Sequence, residues 1–247
     1  MNKVAIIQAR MGSTRLPGKV MKLLSGKPML EHIVKRLQTV EAIDQIVIAT
    51  TLKSEDNVIC DFAKRHSIEY YRGKSVDVLD RYYQAAVMHD ADVIIRITAD
   101  DPLKDSHIIN EILHEYMDNY EKYDYVSNTI VPTYPIGIDV EVFSFNALRK
   151  AWMEAEGTFY REHVTPYIWT NTHLFNIKNV EYTGHNLSAL RWTVDTQNDF
   201  EFAEAIYSYL YKEHEIFFME DIIQLLDKYP EIQTINKYVS QKKWDVL

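Results

Sequence analysis

The 247-residue chain has a single cysteine, Cys60, so it can form neither an intramolecular disulfide nor a cysteine-based metal centre, and a reducing compartment is implied. Cys60 reads as a core filler. Long apolar runs are missing. Val93 to Ile95 and Ile216 to Met219 fall far short of the roughly 18 residues that cross a bilayer. The N-terminal run Val4 to Ile7 is too short for a signal-peptide core of roughly 7 to 15 residues. A cytoplasmic location without a membrane partner is expected. Positive charge is scarce as well: 27 Lys and Arg stand against 36 Asp and Glu, a balance of −9. This argues against broad nucleic-acid binding, which needs a basic face to neutralise phosphates. Glycine and proline number only seven each. There is no Gly-, Ser- or Pro-rich linker, no repeat and no low-complexity tract, so residues 1–247 read as one domain. The Gly-Lys-Ser/Thr of a Walker loop and the Gly-x-Gly-x-x-Gly dinucleotide fingerprint are also absent.

What the chain does have is material for a sizeable core, with 47% apolar and 26% charged residues. Short β-branched runs alternate with helical patterns, the signature of βαβ units around a mostly parallel sheet. Strands are expected at Lys3–Gln8, Gln45–Thr51, Val93–Thr98, Tyr123–Asn128, Val140–Phe145, Leu174–Val180 and Ala189–Val194. Helices are expected at Pro28–Thr39, Asp56–His66, Val76–His89, Ser106–Tyr120, Phe145–Glu156, Thr196–Tyr211 and Glu220–Lys228.

The most informative stretch follows the first strand: Gln8-Ala9-Arg10-Met11-Gly12-Ser13-Thr14-Arg15-Leu16-Pro17-Gly18-Lys19. In an open α/β sheet, ligands bind beyond the carboxyl ends of the strands. Gly12 and Ser13 are small enough to let backbone amides approach a phosphate, and Arg10, Arg15 and Lys19 concentrate positive charge in an otherwise acidic protein. Arginine forks onto two phosphate oxygens and lysine acts as a point charge. The loop reads as a polyphosphate cradle, the alternative being a solvated basic loop. Together with Ile6-Ile7 it closely resembles the opening motif of the cytidylyltransferases that activate acidic sugars, in the branch named for the spore-coat polysaccharide protein SpsF. The resemblance implies a single Rossmann-like, GT-A-like nucleotidyltransferase domain of three layers. It also implies that the loop holds the triphosphate of CTP, with Ala9, Arg10, Gly12, Ser13, Arg15 and Lys19 at the nucleotide and Arg10, Arg15 and Lys19 assisting the reaction.

A gripped triphosphate still needs a divalent ion, and Mg²⁺ is usually held by one or two carboxylates plus substrate phosphates. Ile94-Ile95-Arg96-Ile97-Thr98-Ala99-Asp100-Asp101-Pro102-Leu103 is an apolar strand stopped by Pro102, so Asp100 sits at a strand end as a metal ligand or as a cap for the next helix. Leu190-Arg191-Trp192-Thr193-Val194-Asp195-Thr196-Gln197-Asn198-Asp199-Phe200 poses the same choice for Asp195. Both stretches resemble family motifs that place Asp100 and Asp195 at the metal, Thr98 near the nucleotide and Asp199 in helix structure. Two departures stand out: Ala99 replaces the usual glycine, and Asp101 replaces a small or neutral residue and adds local negative charge.

Arg72-Gly73 and Val76-Asp77-Val78-Leu79-Asp80-Arg81 resemble the segment near the base. Arg72 is expected at base or ribose, with Asp77 and Arg81 readable as a surface pair. Arg96, inside an apolar strand, must find a partner or face the site. Tyr134-Pro135-Ile136-Gly137-Ile138-Asp139-Val140-Glu141-Val142-Phe143 and Tyr160-Arg161-Glu162-His163-Val164-Thr165-Pro166-Tyr167-Ile168 resemble the acceptor half, with Asp139 and Glu141 lining the pocket. Arg161, Glu162 and His163 serve there, in a subunit contact or in a helix-end network. The resemblance divides the domain into a nucleotide half to about residue 130, an acceptor and dimerisation half at about 131–200, and C-terminal helices at about 201–247. It implies CMP transfer from CTP, with pyrophosphate release, to a sugar or small phosphorylated acceptor for surface or spore-coat polysaccharide, by a cytoplasmic homodimer. The rival readings are a glycosyltransferase using a nucleotide sugar and a non-catalytic nucleotide-binding subunit.

Overall fold

A computed structural model describes residues 1–241. The strands are β1 (Lys3–Gln8), β2 (Leu23–Leu24), β3 (Lys27–Pro28), β4 (Gln45–Thr51), β5 (Glu69–Gly73), β6 (Val93–Thr98), β7 (Tyr125–Ser127), β8 (Glu141–Ser144) and β9 (Ile177–Asn179). The α-helices are α1 (Met29–Gln38), α2 (Asn57–Arg65), α3 (Val78–Met88), α4 (Ser106–Asp118), α5 (Phe145–Glu154), α6 (Thr158–His163), α7 (Pro166–Thr170), α8 (Gln197–Leu210) and α9 (Met219–Lys228). Seven strands form one sheet in the order β5-β4-β1-β6-β8-β7-β9, while β2 and β3 make a small ribbon. Every pairing in the main sheet is parallel except the two made by β8.

Strand alternation divides the apolar side chains between two helical layers. Val4, Ile6, Val47 and Ile94 pack with α3 and α5, through residues such as Leu79, Ala85 and Leu148. Ala5, Ile7, Ile48 and Ile95 pack with α1, α2, α4, α8 and α9, through residues such as Ile33, Phe62 and Ile112. The central strands are thus buried on both faces, and the result is the expected three-layer α/β domain.

The same topology gathers the functional ends. Gln8 pairs with Thr98, so the chain leaves β1 and β6 side by side at Ala9 and Ala99. Because β8 runs antiparallel to β6, with Arg96 opposite Glu141, its first residues arrive at that same sheet edge.

β1, β4 and β6 have the bounds expected from sequence, whereas β5 was not among the expected strands and β7 and β9 are shorter. Ala189–Val194 is no strand. Its backbone is shared between two loops: Ile136 N–H donates to Leu190 O, Trp192 N–H to Ile136 O, and Val194 N–H to Asp100 O, leaving one isolated bridge, Ile136 to Arg191. The Arg161 stretch folds as two short helices, α6 and α7. Among the described residues, no helix is long and apolar enough to cross a membrane.

Candidate active site

A cleft of about 1060 Å³ opens over the carboxyl ends of β1 and β6. One side of it carries Arg10, Ser13, Arg15, Lys19, Thr98 and Asp100, with Asp195 beside them. Its far side carries Asp139, Glu141, Glu162 and His163. Most of the residues singled out from sequence therefore face one cavity.

The loop after β1 is held by its own chain. Ser13 and Gly18 N–H both donate to Met11 O, and Met11 N–H donates to Asp56 Oδ1 at 2.6 Å. Gly18 takes φ 69°, a left-handed turn that glycine adopts at little cost, and starts the 3-10 turn Lys19–Met21. Lys19 is thereby brought inside, only 7% exposed. Its ammonium donates to Asp100 Oδ2, Asp195 Oδ1 and Val194 O, each at 2.8 Å.

Asp195 receives three cations. Besides Lys19, Arg15 Nη2 lies 2.9 Å and Arg191 Nη2 3.0 Å from its Oδ2. Burial alone would push the Asp195 carboxyl up, but Lys19 and its other basic partners outweigh burial and hold it below the ordinary carboxylate range. Burial would likewise lower the Lys19 ammonium, yet Asp100 and Asp195 raise it. Both groups are therefore charged at neutral pH.

Two carboxylates and a carbonyl converging on one point form an all-oxygen donor set of the kind Mg²⁺ accepts. Asp101 does not join them. Buried at 3% exposure, it accepts from Thr98 Oγ1 and pairs with Lys104 Nζ at 2.9 Å. Among the described residues, no group of three or more His, Cys, Asp or Glu is arranged for a metal. A divalent ion here would complete its shell from phosphates and water, as expected when it arrives on a nucleotide.

On the far side of the cleft, Arg96 pairs with Glu141, which also accepts from Tyr125 Oη at 2.7 Å and from Thr165 Oγ1. Glu141 is a buried hub, whereas the Asp139 side chain opens into the cleft. Although Asp139 is exposed to the cleft, the protein atoms crowded around it disfavour its charged form and push its carboxyl up to about 6 against the pull of Lys104, with Asp101 and Glu141 adding to the rise.

Residues 4–243 match the cytidylyltransferase family. The chain belongs to that family. It is 38% identical over 247 residues to an uncharacterised protein of Methanocaldococcus jannaschii, covering 99% of this chain and 98% of the other. It is 32% identical to the spore coat polysaccharide biosynthesis protein SpsF of Bacillus subtilis, over 93% and 95% of the two chains. A solved cytidylyltransferase from Leptospira borgpetersenii superposes with a TM-score of 0.90, at 30% identity and 99% coverage of each chain. This cytidylyltransferase is thus a CTP-dependent nucleotidyltransferase of the type that includes SpsF, and its fold is the one the resemblance implied.

Four expected site residues lie apart from the cleft lining. Ala9 is buried beneath the loop, and a Cβ on Gly12 would face the flexible end of Glu55 at 2.9 Å. Arg72 donates to the carbonyls of Thr51 and Lys53, tying β5 to the end of β4. Arg161 forks onto Asp77 at 2.9 and 2.7 Å and donates to Trp152 O, so it fastens α6 to α3 and α5. The expected Asp77–Arg81 surface pair does not form. Asp77 caps α3 and holds Arg161, while Arg81 is 2% exposed, lies against Gly73, and leaves Nε and Nη1 without partners. Helical spacing alone did not reveal that this face of α3 turns inward.

The cytidylyltransferase also uses residues that its motifs did not point to. Arg191 spans Asp195 and Asp199, and Asp199 closes a capping box with Thr196 at the start of α8. Lys104 joins Asp101 to the backbone carbonyl of Asp139. For the second of these the sequence offered only a lysine three residues after an unusual aspartate, without the burial that makes the pair matter.

Proposed function

We propose that this protein transfers the CMP group of Mg²⁺-bound CTP to a small acceptor, a sugar or a phosphorylated compound, in the making of a surface polysaccharide. The acceptor oxygen attacks the α-phosphorus in line, a hydroxyl acceptor giving up its proton to solvent, the bond to the bridging oxygen breaks, and pyrophosphate leaves with its electron pair. Arg10, Ser13 and Arg15 bind and orient the triphosphate, and Arg15 with Lys19 offsets charge on the departing pyrophosphate. Asp100 and Asp195 would hold the ion, which supplies Lewis-acid neutralisation of phosphate charge. Asp139 and Glu162 accept hydrogen bonds from the acceptor, while Arg96 and Glu141 form the floor of its pocket. The observation that carries this reading is the convergence of Asp100 and Asp195 on the cation Lys19 directly beside the basic loop. The same reading has the protein working as a cytoplasmic homodimer.

The test incubates the protein with α-³²P-labelled CTP, Mg²⁺ and a small-molecule extract as acceptor pool. The expected result is release of unlabelled pyrophosphate matched by label in a new CMP-containing compound, lost in Asp195→Asn. Label transfer from a nucleotide sugar in place of CTP would contradict it.

A further inference from the structure

Lys19 stands at the point where the two ligand carboxylates converge. Its ammonium has three oxygens at 2.8 Å, from Asp100, Asp195 and the carbonyl of Val194. These are hard oxygen donors of the class a divalent ion takes. A Lys ammonium and a small dication compete for such donors, because each satisfies the same negative charge.

The charge count is equally pointed. Arg15, Lys19 and Arg191 contact Asp100, Asp195 and Asp199 in a linked set of three cations and three carboxylates. The set is neutral as it stands. Adding a divalent ion alone would leave two positive charges in excess in a partly desolvated site, where like charges repel strongly. Adding it with a triphosphate reverses the balance, since the phosphate oxygens give Arg15 and Lys19 new anionic partners and free the carboxylates. Lysine suits such an exchange, having a point charge on a flexible four-carbon stem. Arg191 does not move in this scheme, because Asp199 and the capping box of α8 fix it on the far side of Asp195.

We infer that Lys19 is the exchange residue of this site: its ammonium holds the metal position of Asp100 and Asp195 in the free protein and yields it only to a divalent ion that arrives with a triphosphate. Lys19 is thus a specificity-determining residue that makes the metal–nucleotide complex the entering species and excludes free metal. The inference rests on the proposed function only in taking Asp100 and Asp195 as the ion's ligands.

The test is Mn²⁺ binding to nucleotide-free protein, followed by the electron paramagnetic resonance signal of free Mn²⁺. Wild-type protein is expected to bind Mn²⁺ weakly alone and much more tightly once CTP is added. Lys19→Met should bind Mn²⁺ without CTP roughly tenfold or more tighter than wild type, since one competing charge beside a carboxylate is worth about one to three powers of ten. The gain should disappear in Lys19→Met combined with Asp195→Asn. Lys19→Gln, which keeps hydrogen-bonding capacity without charge, repeats the comparison if the Met variant melts early. Tight Mn²⁺ binding by nucleotide-free wild type overturns the inference whatever the variants do, and so does the absence of a gain in a folded Met or Gln variant. Failure of CMP transfer with the gain intact would sink the proposed reaction and leave the exchange standing. Transfer with no gain would do the reverse.

Discussion

A Cβ placed on Gly137 would lie 2.6 Å from the backbone nitrogen of Thr193 and 2.8 Å from the carbonyl carbon of Trp192. Gly137 also holds φ at 107°. The loop that carries Gly137 and the segment leading to Asp195 therefore touch backbone to backbone, and only glycine fits between them. Gly137→Ala should cost about 3 kcal/mol or more of unfolding free energy, from strain plus displaced backbone. Gly26 has a similar φ of 79° but open space around it, so Gly26→Ala should cost only about 1 kcal/mol. Urea denaturation of the two variants checks the contrast, and equal losses would refute the contact.

Arg161 sits in the acceptor motif but serves as a fastener. Arg161→Ala should lower stability by about 1 to 2 kcal/mol, as expected for a forked, partly buried ion pair with a further carbonyl contact. It should leave CTP affinity unchanged. Asp77→Ala should cost a comparable amount, and the double variant less than the sum of the two. Additive losses, or a loss of CTP binding in Arg161→Ala, would count against this role.

The sequence and the structure agree best where one pattern suffices. β1, β4 and β6 are continuous apolar runs buried on both faces, so their bounds were legible from composition, and the positions of the basic loop after β1 and of Asp100 after β6 came with them. β5, Glu69-Tyr70-Tyr71-Arg72-Gly73, lies at the sheet edge, and its mixed polarity hides it. Ala189–Val194 has strand composition but meets loops at Ile136 and Asp100 in place of neighbouring strands, a tertiary fact that no local pattern carries. Arg161 and Glu162 are adjacent in one motif, yet a helix turns one toward Asp77 and the other toward the cleft. Asp101 looked like excess negative charge, and its compensation by Lys104 became visible only when both proved buried.

His32 predicts a pH effect on stability. Its Nε2 lies 2.8 Å from Leu24 O, and burial holds the ring down to about 4. The unfolded value is near 6.5. A folded pKa below the unfolded one gives stability that is complete above the unfolded value and is lost as pH falls toward the folded one. About 3 kcal/mol should therefore disappear between pH 6.5 and 4, and His32→Gln should remove that part of the slope. Denaturation midpoints measured across this range decide it; an unchanged slope in the variant would contradict the assignment.

Asp139, raised to about 6, makes a separate prediction for turnover. If its charged form receives the acceptor, kcat/KM for acceptor should fall as pH drops through 6, while CTP affinity changes little. Asp139→Asn should flatten that limb and lower kcat/KM by roughly tenfold or more, as expected for loss of a charged hydrogen-bond acceptor. A retained limb in the variant would assign the titration elsewhere.

In the proposed function, Asp100 and Asp195 serve a metal-bound triphosphate held by the loop after β1. Calorimetric titration of CTP into the protein, with and without Mg²⁺, tests it most directly. Wild-type protein should bind CTP tightly only with Mg²⁺. Asp195→Asn and Asp100→Asn should each lose most of that Mg²⁺-dependent gain, by roughly a hundredfold in affinity, as removal of one of two carboxylate ligands requires. Equal binding of CTP by wild type and both variants in Mg²⁺ would rule out that role for the two aspartates.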